Sequence, residues 1–248
     1  MPESCEPAPR RGSEIARFLR AALVEAVPRD RQHSAAEVRH RRVVSALTLV
    51  VGAALLAISI NLTPGDGRFY ATTLALAAVW TIGALASGPL HAGWANTRAG
   101  TRHTRPVVQP LAVGLFFVGL FALGALAVAR TDAPRQAIEA VLDHARYASL
   151  PVVAAITVVN GLAEELFFRG SVYAAIGPRR PVLWSTVLYA VTTLASGNLM
   201  LVLAALILGA VAGLQRRVTG GVLGPMITHV TWSMSMLLIL PALLHAAG

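Results

Sequence analysis

Residues 152–170 read VVAAITVVNGLAEELFFRG, an apolar run long enough to cross a bilayer with two adjacent carboxylates, Glu164 and Glu165, set inside it. They are the only acids between Asp143 and the C-terminus. On membrane-insertion scales a charge at the centre of a spanning helix costs roughly 2.5–3.5 kcal/mol, so an ionisable group there marks a functional site by default. Two neighbours strengthen the case, because like charges so close favour protonation of one of them and leave a group able to hold or release a proton.

The rest of the chain supports the membrane reading. Its 248 residues are 55% hydrophobic and 13% charged, with a mean hydropathy of +0.62, against about 25% charged in soluble proteins. The expected fold is therefore all-α: a polytopic transmembrane helical bundle of about seven spans. Hydropathy places them near Val43–Leu62, Phe69–Ser87, Leu111–Ala129, Leu150–Ala175, Pro181–Ala195, Leu199–Gln215 and Val222–Leu244, most close to the ~20 residues a bilayer requires. The net charge of +9 comes entirely from Arg, and those residues lie in the connections, so topology accounts for them and no nucleic-acid partner is expected. The lone Cys5 excludes a disulfide framework. No cleaved signal peptide is expected, and the first span anchors the chain.

Cytosolic connections are enriched in basic residues. Arg39, Arg41 and Arg42 precede the first span; Arg98, Arg102 and Arg105 follow the second; Arg179 and Arg180 follow the fourth; Arg216 and Arg217 follow the sixth. The intervening connections are balanced or neutral, which puts the N-terminus inside and the C-terminus outside. The domain reading is a cytosolic basic tail over 1–42, with nine Arg and six acids, N-terminal membrane helices over 43–149, and a core over 150–248. Part of the tail could lie on the anionic inner leaflet as an amphipathic segment, and Arg135–Tyr147 could form a surface helix on the outer side.

Inside the core, Glu165 and Arg169 are four residues apart and share a helical face, whereas Glu164 is rotated by about 100°. One carboxylate can be neutralised while its neighbour stays free; a buried Glu165–Arg169 pair that only fixes packing is the alternative. Gly161 and Gly170 leave room for another helix. At ~1.5 Å per residue, Glu164 lies about 16 Å and Thr193 about 18 Å from the cytosolic helix ends, with His229 about 8–12 Å and Ser233 about 12–18 Å deep. A carboxylate pair, hydroxyls and an imidazole thus meet in the cytosol-facing half, where a water-filled cavity could solvate them. His91, His103, His144 and His245 fall in loops or at ends and read as surface residues.

The segment Asn160–Tyr173, NGLAEELFFRGSVY, resembles the EExxxR motif of the CAAX-processing and bacteriocin-processing (CPBP, or Abi) family of intramembrane proteases. The resemblance extends through Trp184–Trp232: an aromatic-xxx-His span end, a small-residue turn, a span closing on Arg-Arg before a Gly-rich turn, then Pro-xxx-His-xxx-Asn. It implies an intramembrane endopeptidase in which Glu164 and Glu165 activate a water, directly or on a divalent metal such as zinc. Arg169 would orient them, and His229 would bind metal or stabilise the oxyanion, with Glu164 and His229 as metal ligands. The implied partners are a membrane peptide or protein substrate and the lipid bilayer, and the implied location is a bacterial cell membrane. Two motif positions depart from the pattern: in YAVTT the expected His is Thr193, and in HVTWS the expected Asn is Ser233. The intact positions then offer the carboxylates and one His, short of the three protein ligands usual at catalytic zinc.

Two other functions remain open on the sequence: a catalytically silent relative that binds membrane peptides or partners, and a transporter or channel using the carboxylate pair as an ion site. Inverted repeats or paired broken spans would favour the transporter, and none is evident. The Arg pattern makes a direct prediction: a topology reporter fused after Gly248 reports the outside and one inserted at Arg179 reports the cytosol. A cytosolic C-terminal signal would break the seven-span count.

Overall fold

A computed structural model of the chain describes residues 13–27, 34–96, 103–147 and 149–247. Cys5, Arg98 and Arg102 lie outside the described residues. Among those described, nine helices run α1 Glu14–Leu23, α2 Ala35–Ile60, α3 Arg68–Ala86, α4 Val108–Val128, α5 Asp132–Arg146, α6 Leu150–Ile176, α7 Pro181–Leu194, α8 Leu199–Thr219 and α9 Leu223–Ala247. A two-stranded antiparallel pairing, Ala95–Asn96 with His103–Thr104, lies between α3 and α4. The protein is an integral, multi-pass membrane protein: α2, α3, α4, α6, α8 and α9 are each long and apolar enough to cross a bilayer. The expected span at Pro181–Ala195 is the 14-residue α7, about 21 Å long and short of a ~30 Å hydrocarbon core. Pro181 opens α7 and Ala195–Asn198 turns it directly into α8, against which it packs.

Local chemistry sets the helix limits. Ser34 and Glu37 form a reciprocal capping box, so α2 begins at Ala35, two turns before the expected Val43, and carries Arg39, Arg41 and Arg42 on the helix. Asn198 caps α8 by accepting from the amides of Met200 and Leu201. Gly220, at φ 68°, closes the same helix in the left-handed region that glycine adopts freely. At the α2–α3 turn, Asp66 accepts from the backbone and guanidinium of Arg68, and that hydrogen bonding holds its carboxyl below the usual value.

α6 is central, packed between α3 and α9, and α9 also packs on α4 and α8. The tightest core lies between α2, α3 and α6. Trp80 stacks on Phe167 at 4.7 Å and is 1% exposed, and Gly52 on α2 makes room for its indole, since a Cβ there would lie 2.0 Å from the ring. The outer-side helix expected near Arg135–Tyr147 is α5. It is tied across the helix ends by His144, whose Nε2 bonds the Leu62 carbonyl, and by Asn198, which donates to the Ala137 carbonyl. His144 is therefore buried rather than a surface residue.

On the Arg-rich side, residues 88–94 run across the Gly220–Gly221 turn. Trp94 donates to the Thr219 carbonyl, while Val222 and Leu223 donate to the His91 and Ala92 carbonyls. The backbones approach so closely that a Cβ on Gly221 would lie 2.1 Å from Ala92. Gly221→Ala should therefore break this crossing, at a cost of about 1–3 kcal/mol or more for overpacking, read as a lower melting temperature of the detergent-purified protein. Gly119→Ala, where a Cβ meets nothing within 4 Å, should leave it unchanged.

Candidate active site

The sequence EELFFRG builds the site through an irregularity that hydropathy does not reveal: α6 widens into a π-helix over Leu166–Val172. The Tyr173 amide reaches back to the Phe168 carbonyl instead of that of Arg169, which frees the Arg169 carbonyl. Arg216 on α8 takes it with its Nε at 2.7 Å. Single π turns concentrate at functional sites for this reason, since they release backbone groups and re-aim side chains. Here six consecutive residues, Phe167 to Val172, are buried, which a regular helix facing lipid on one side does not allow.

The two carboxylates occupy different environments. Glu165 has no exposure, and its Oε1 accepts from Arg169 Nη1 at 2.9 Å and from His229 Nδ1 at 2.8 Å. Glu164 is half-buried, and its Oε2 accepts from the Tyr189 hydroxyl at 2.5 Å. The Arg169 guanidinium, also without exposure, stands 4.8 Å from the centre of the Tyr189 ring. Gly161 faces the imidazole, and a Cβ there would lie 3.6 Å from it. Three helices are thus joined: α6 supplies the carboxylates and Arg169, α7 supplies Tyr189, and α9 supplies His229.

Glu164, Tyr189, Thr193 and His229 line one cavity of about 170 Å³. Glu165 and Arg169 are not on its lining and stand behind His229. Thr193 bonds the Tyr189 carbonyl one turn earlier at 2.8 Å, a back-bond that keeps the hydroxyl occupied. Ser233 is displaced from this group: it lines a second, larger chamber of about 630 Å³ that also reaches Glu164. One turn beyond His229, it sits farther from the Arg-rich ends than the cavity does. The chamber runs toward the opposite helix ends, whereas the depths along the spans predict a cavity in the cytosol-facing half; residues 88–94, remote from the motif in sequence, lie across the Arg-rich side.

As a metal centre the donor set is thin. Among the described residues no group of three His, Cys, Asp or Glu side chains could hold an ion. Glu165 Oε1 is taken by Arg169 and His229, and its Oε2 is buried without a hydrogen-bond partner and off the cavity lining, which leaves one carboxylate and one ring nitrogen facing the cavity. That does not fit catalytic zinc, which takes three protein ligands and a water.

Residues not singled out from the sequence complete the site. The Tyr189 hydroxyl was legible only as an aromatic position, although a phenol inside an apolar span signals a needed partner. Arg216 was assigned to topology alone.

The fold and site define a helical membrane protein with a buried carboxylate–imidazole centre. In a comparison with known families, residues 146–235 match the model of the type II CAAX prenyl endopeptidase Rce1-like family. The match covers the segment in which the CPBP resemblance was read and agrees with it. No curated protein and no solved structure matches the chain.

The division of labour between the carboxylates predicts different mutational costs. Removing Arg169 or Glu165 leaves a buried charge uncompensated, at about 3–5 kcal/mol, so Arg169→Ala and Glu165→Ala should lower the melting temperature and yield of folded protein sharply. Glu164→Gln keeps a partner for the Tyr189 hydroxyl and should melt close to wild type. Equal losses from all three changes would mean that the pair serves packing alone.

Proposed function

We propose that this protein is an intramembrane endopeptidase that hydrolyses membrane-associated peptides or proteins with a glutamate-activated water. The observation that carries the reading is the split between the adjacent carboxylates: Glu165 is locked between Arg169 and His229, while Glu164 stays on the cavity with one oxygen held by Tyr189. Glu164 then acts as the general base. It takes a proton from water as the oxygen attacks the scissile carbonyl, and returns it to the departing amine as the C–N bond breaks.

His229 is the second catalytic residue. Its Nδ1 donates to Glu165, which fixes the ring and leaves Nε2 toward the cavity. When the ring carries a proton on both nitrogens, its Nε2–H is a donor for the developing oxyanion. Arg169 and Glu165 are positioning residues that act through that imidazole. Tyr189 is the positioning residue for Glu164. The reading runs without metal, in keeping with the donor set, and Thr193 and Ser233 serve packing and cavity shape.

The matched family is described as acting on CAAX prenyl substrates, and a lipidated protein is accordingly one substrate class to test beside unmodified membrane peptides. In a screen of such peptides with purified protein, Glu164→Gln should abolish cleavage. Tyr189→Phe should lower kcat about 10–100-fold, the equivalent of a hydrogen bond to a charged group worth ~1.5–3 kcal/mol. No cleavage of any substrate by the wild type, with the folded state intact, would turn the reading to a peptide-binding role on the same scaffold. Thr193→His, alone or with Ser233→Asn, supplies an imidazole near Glu164 and His229. It should raise bound zinc from trace to near one equivalent by elemental analysis; unchanged zinc content would mean that these positions do not converge on a ligand site.

A further inference from the structure

Helix α1 takes no part in the site, and its apolar arc is only half used. Ser13 starts the helix by accepting from the Ala16 amide. One edge of the arc then meets protein: Ala22 is 4% exposed and Phe18 half-buried, with α1 packed on α8, α4 and the strand Ala95–Asn96. The other edge is bare. Ile15 is 72% and Leu19 47% exposed, and their four-residue spacing sets them one above the other. Leu23 continues the row half-buried, and Val24, just past the helix, is exposed. A row of that kind gains nothing from water and gains from hydrocarbon in proportion to its area.

The mooring of α1 shows what lies beyond the bare edge. Arg217, in the last turn of α8, donates through Nη2 to the Leu23 carbonyl at 3.4 Å, and the Val27 amide bonds the Val218 carbonyl at 2.9 Å. These bonds hold α1 at the Arg-rich ends of the spans. It sits there beside α4, whose outward residues Val108, Leu111 and Leu115 are apolar and exposed. A second copy of the chain is a poor fit for the row, because a stable interface takes about 800 Å² and roughly 20–30 residues from each partner. The exposed apolar side chains here are three, Ile15, Leu19 and Val24.

The polar arc supplies charge. Arg17 and Arg20 are exposed, Arg17 pairing with Glu14. Arg20 makes no side-chain hydrogen bond or ion pair among the described residues. It lies about 100° around the helix from Leu19, on the border between the two arcs, where the long side chain of a helix lying in a membrane surface reaches the phosphates. Over residues 10–31 the sequence carries six Arg and three acids, a balance that draws α1 to a negative surface.

From this arrangement we infer that α1 is an interfacial helix that binds an anionic lipid surface. Ile15 and Leu19 enter the upper acyl region, and Arg17 and Arg20 meet headgroup phosphates, in the leaflet on the Arg-rich side. The ligand class is a phospholipid of net negative charge. The helix end that α1 moors also carries Arg216, which holds the Arg169 carbonyl, so the lipid contact and the π-turn share one element. None of this rests on the endopeptidase reading.

The test uses full-length protein with Cys5→Ser and one new cysteine, Leu19→Cys or Ile15→Cys, labelled with nitrobenzoxadiazole. The protein is placed in nanodiscs of phosphatidylcholine alone or mixed with phosphatidylglycerol, each with a trace of lipid bearing a nitroxide high on its acyl chain. In the anionic discs both labels should shift to the blue and be quenched about twofold or more beyond their quenching in neutral discs. Salt near ~1 M, which shortens the screening length to ~3 Å, should abolish the difference. Arg17→Gln together with Arg20→Gln should abolish it too, with an unchanged melting temperature in detergent. If that double variant melts lower, Arg20→Gln alone, which removes no protein contact, should at least halve the difference. Equal quenching in both discs means that the bilayer suffices without headgroup recognition and overturns the inference, as do labels that stay in water in both. A shift that follows the number of protein copies per disc rather than the lipid assigns the row to a second copy and overturns it as well.

Discussion

One oxygen atom organises this protein. Glu165 Oε1 receives Arg169 from its own helix and His229 from α9, with no solvent at either carboxylate or guanidinium. Desolvating such ions costs several kcal/mol each, and their attraction offsets this only when the geometry is good and the charges stay together. The interaction is therefore less a source of stability than a constraint. α6 and α9 must meet at this depth and in this rotation, or a charge is stranded in hydrocarbon.

The π-turn follows from the same demand. Phe167 and Phe168 must reach the Trp80 core, Arg169 must reach Glu165, and Ser171 must reach Ser45 on α2, which it meets at 2.7 Å. A regular 3.6-residue helix cannot bury so many successive side chains against a few neighbours. The wider turn does so at the expense of one backbone hydrogen bond, and Arg216 takes up the freed carbonyl. An arginine in the last turn of α8 thus serves the site by its Nε–H.

Placing the neighbour carboxylates on different faces gives them different chemistry without different residue types. A single helical step separates a buried acceptor of a guanidinium and an imidazole from a half-buried acceptor of one phenol. This is the usual way a protein draws an acid–base pair from like groups, through surroundings rather than composition. The match to the Rce1-like family over residues 146–235 coincides with the helices that supply these groups, while α2 to α5 contribute much of the chamber.

The amino-acid order by itself determined the all-helical membrane fold, because apolar runs of bilayer length admit no other solution in lipid. It also determined the shared face of Glu165 and Arg169, which period alone dictates, and the nearness of Glu164, Thr193 and His229 in depth. It placed Ser233 one turn deeper than His229, and the structure sets it on the larger chamber that also reaches Glu164, because depth along a helix does not say which cavity a side chain meets. The tertiary structure alone decided that His229 pairs with Glu165, that Tyr189 holds Glu164, that α6 widens at the motif, and that the chamber leads away from the Arg-rich side. Each of these depends on contacts between segments far apart in the chain, such as residues 88–94 lying across the turn at 220–221. Hydropathy and helical period carry information along one segment; which segments touch is settled by packing and by the need to pair every buried polar group.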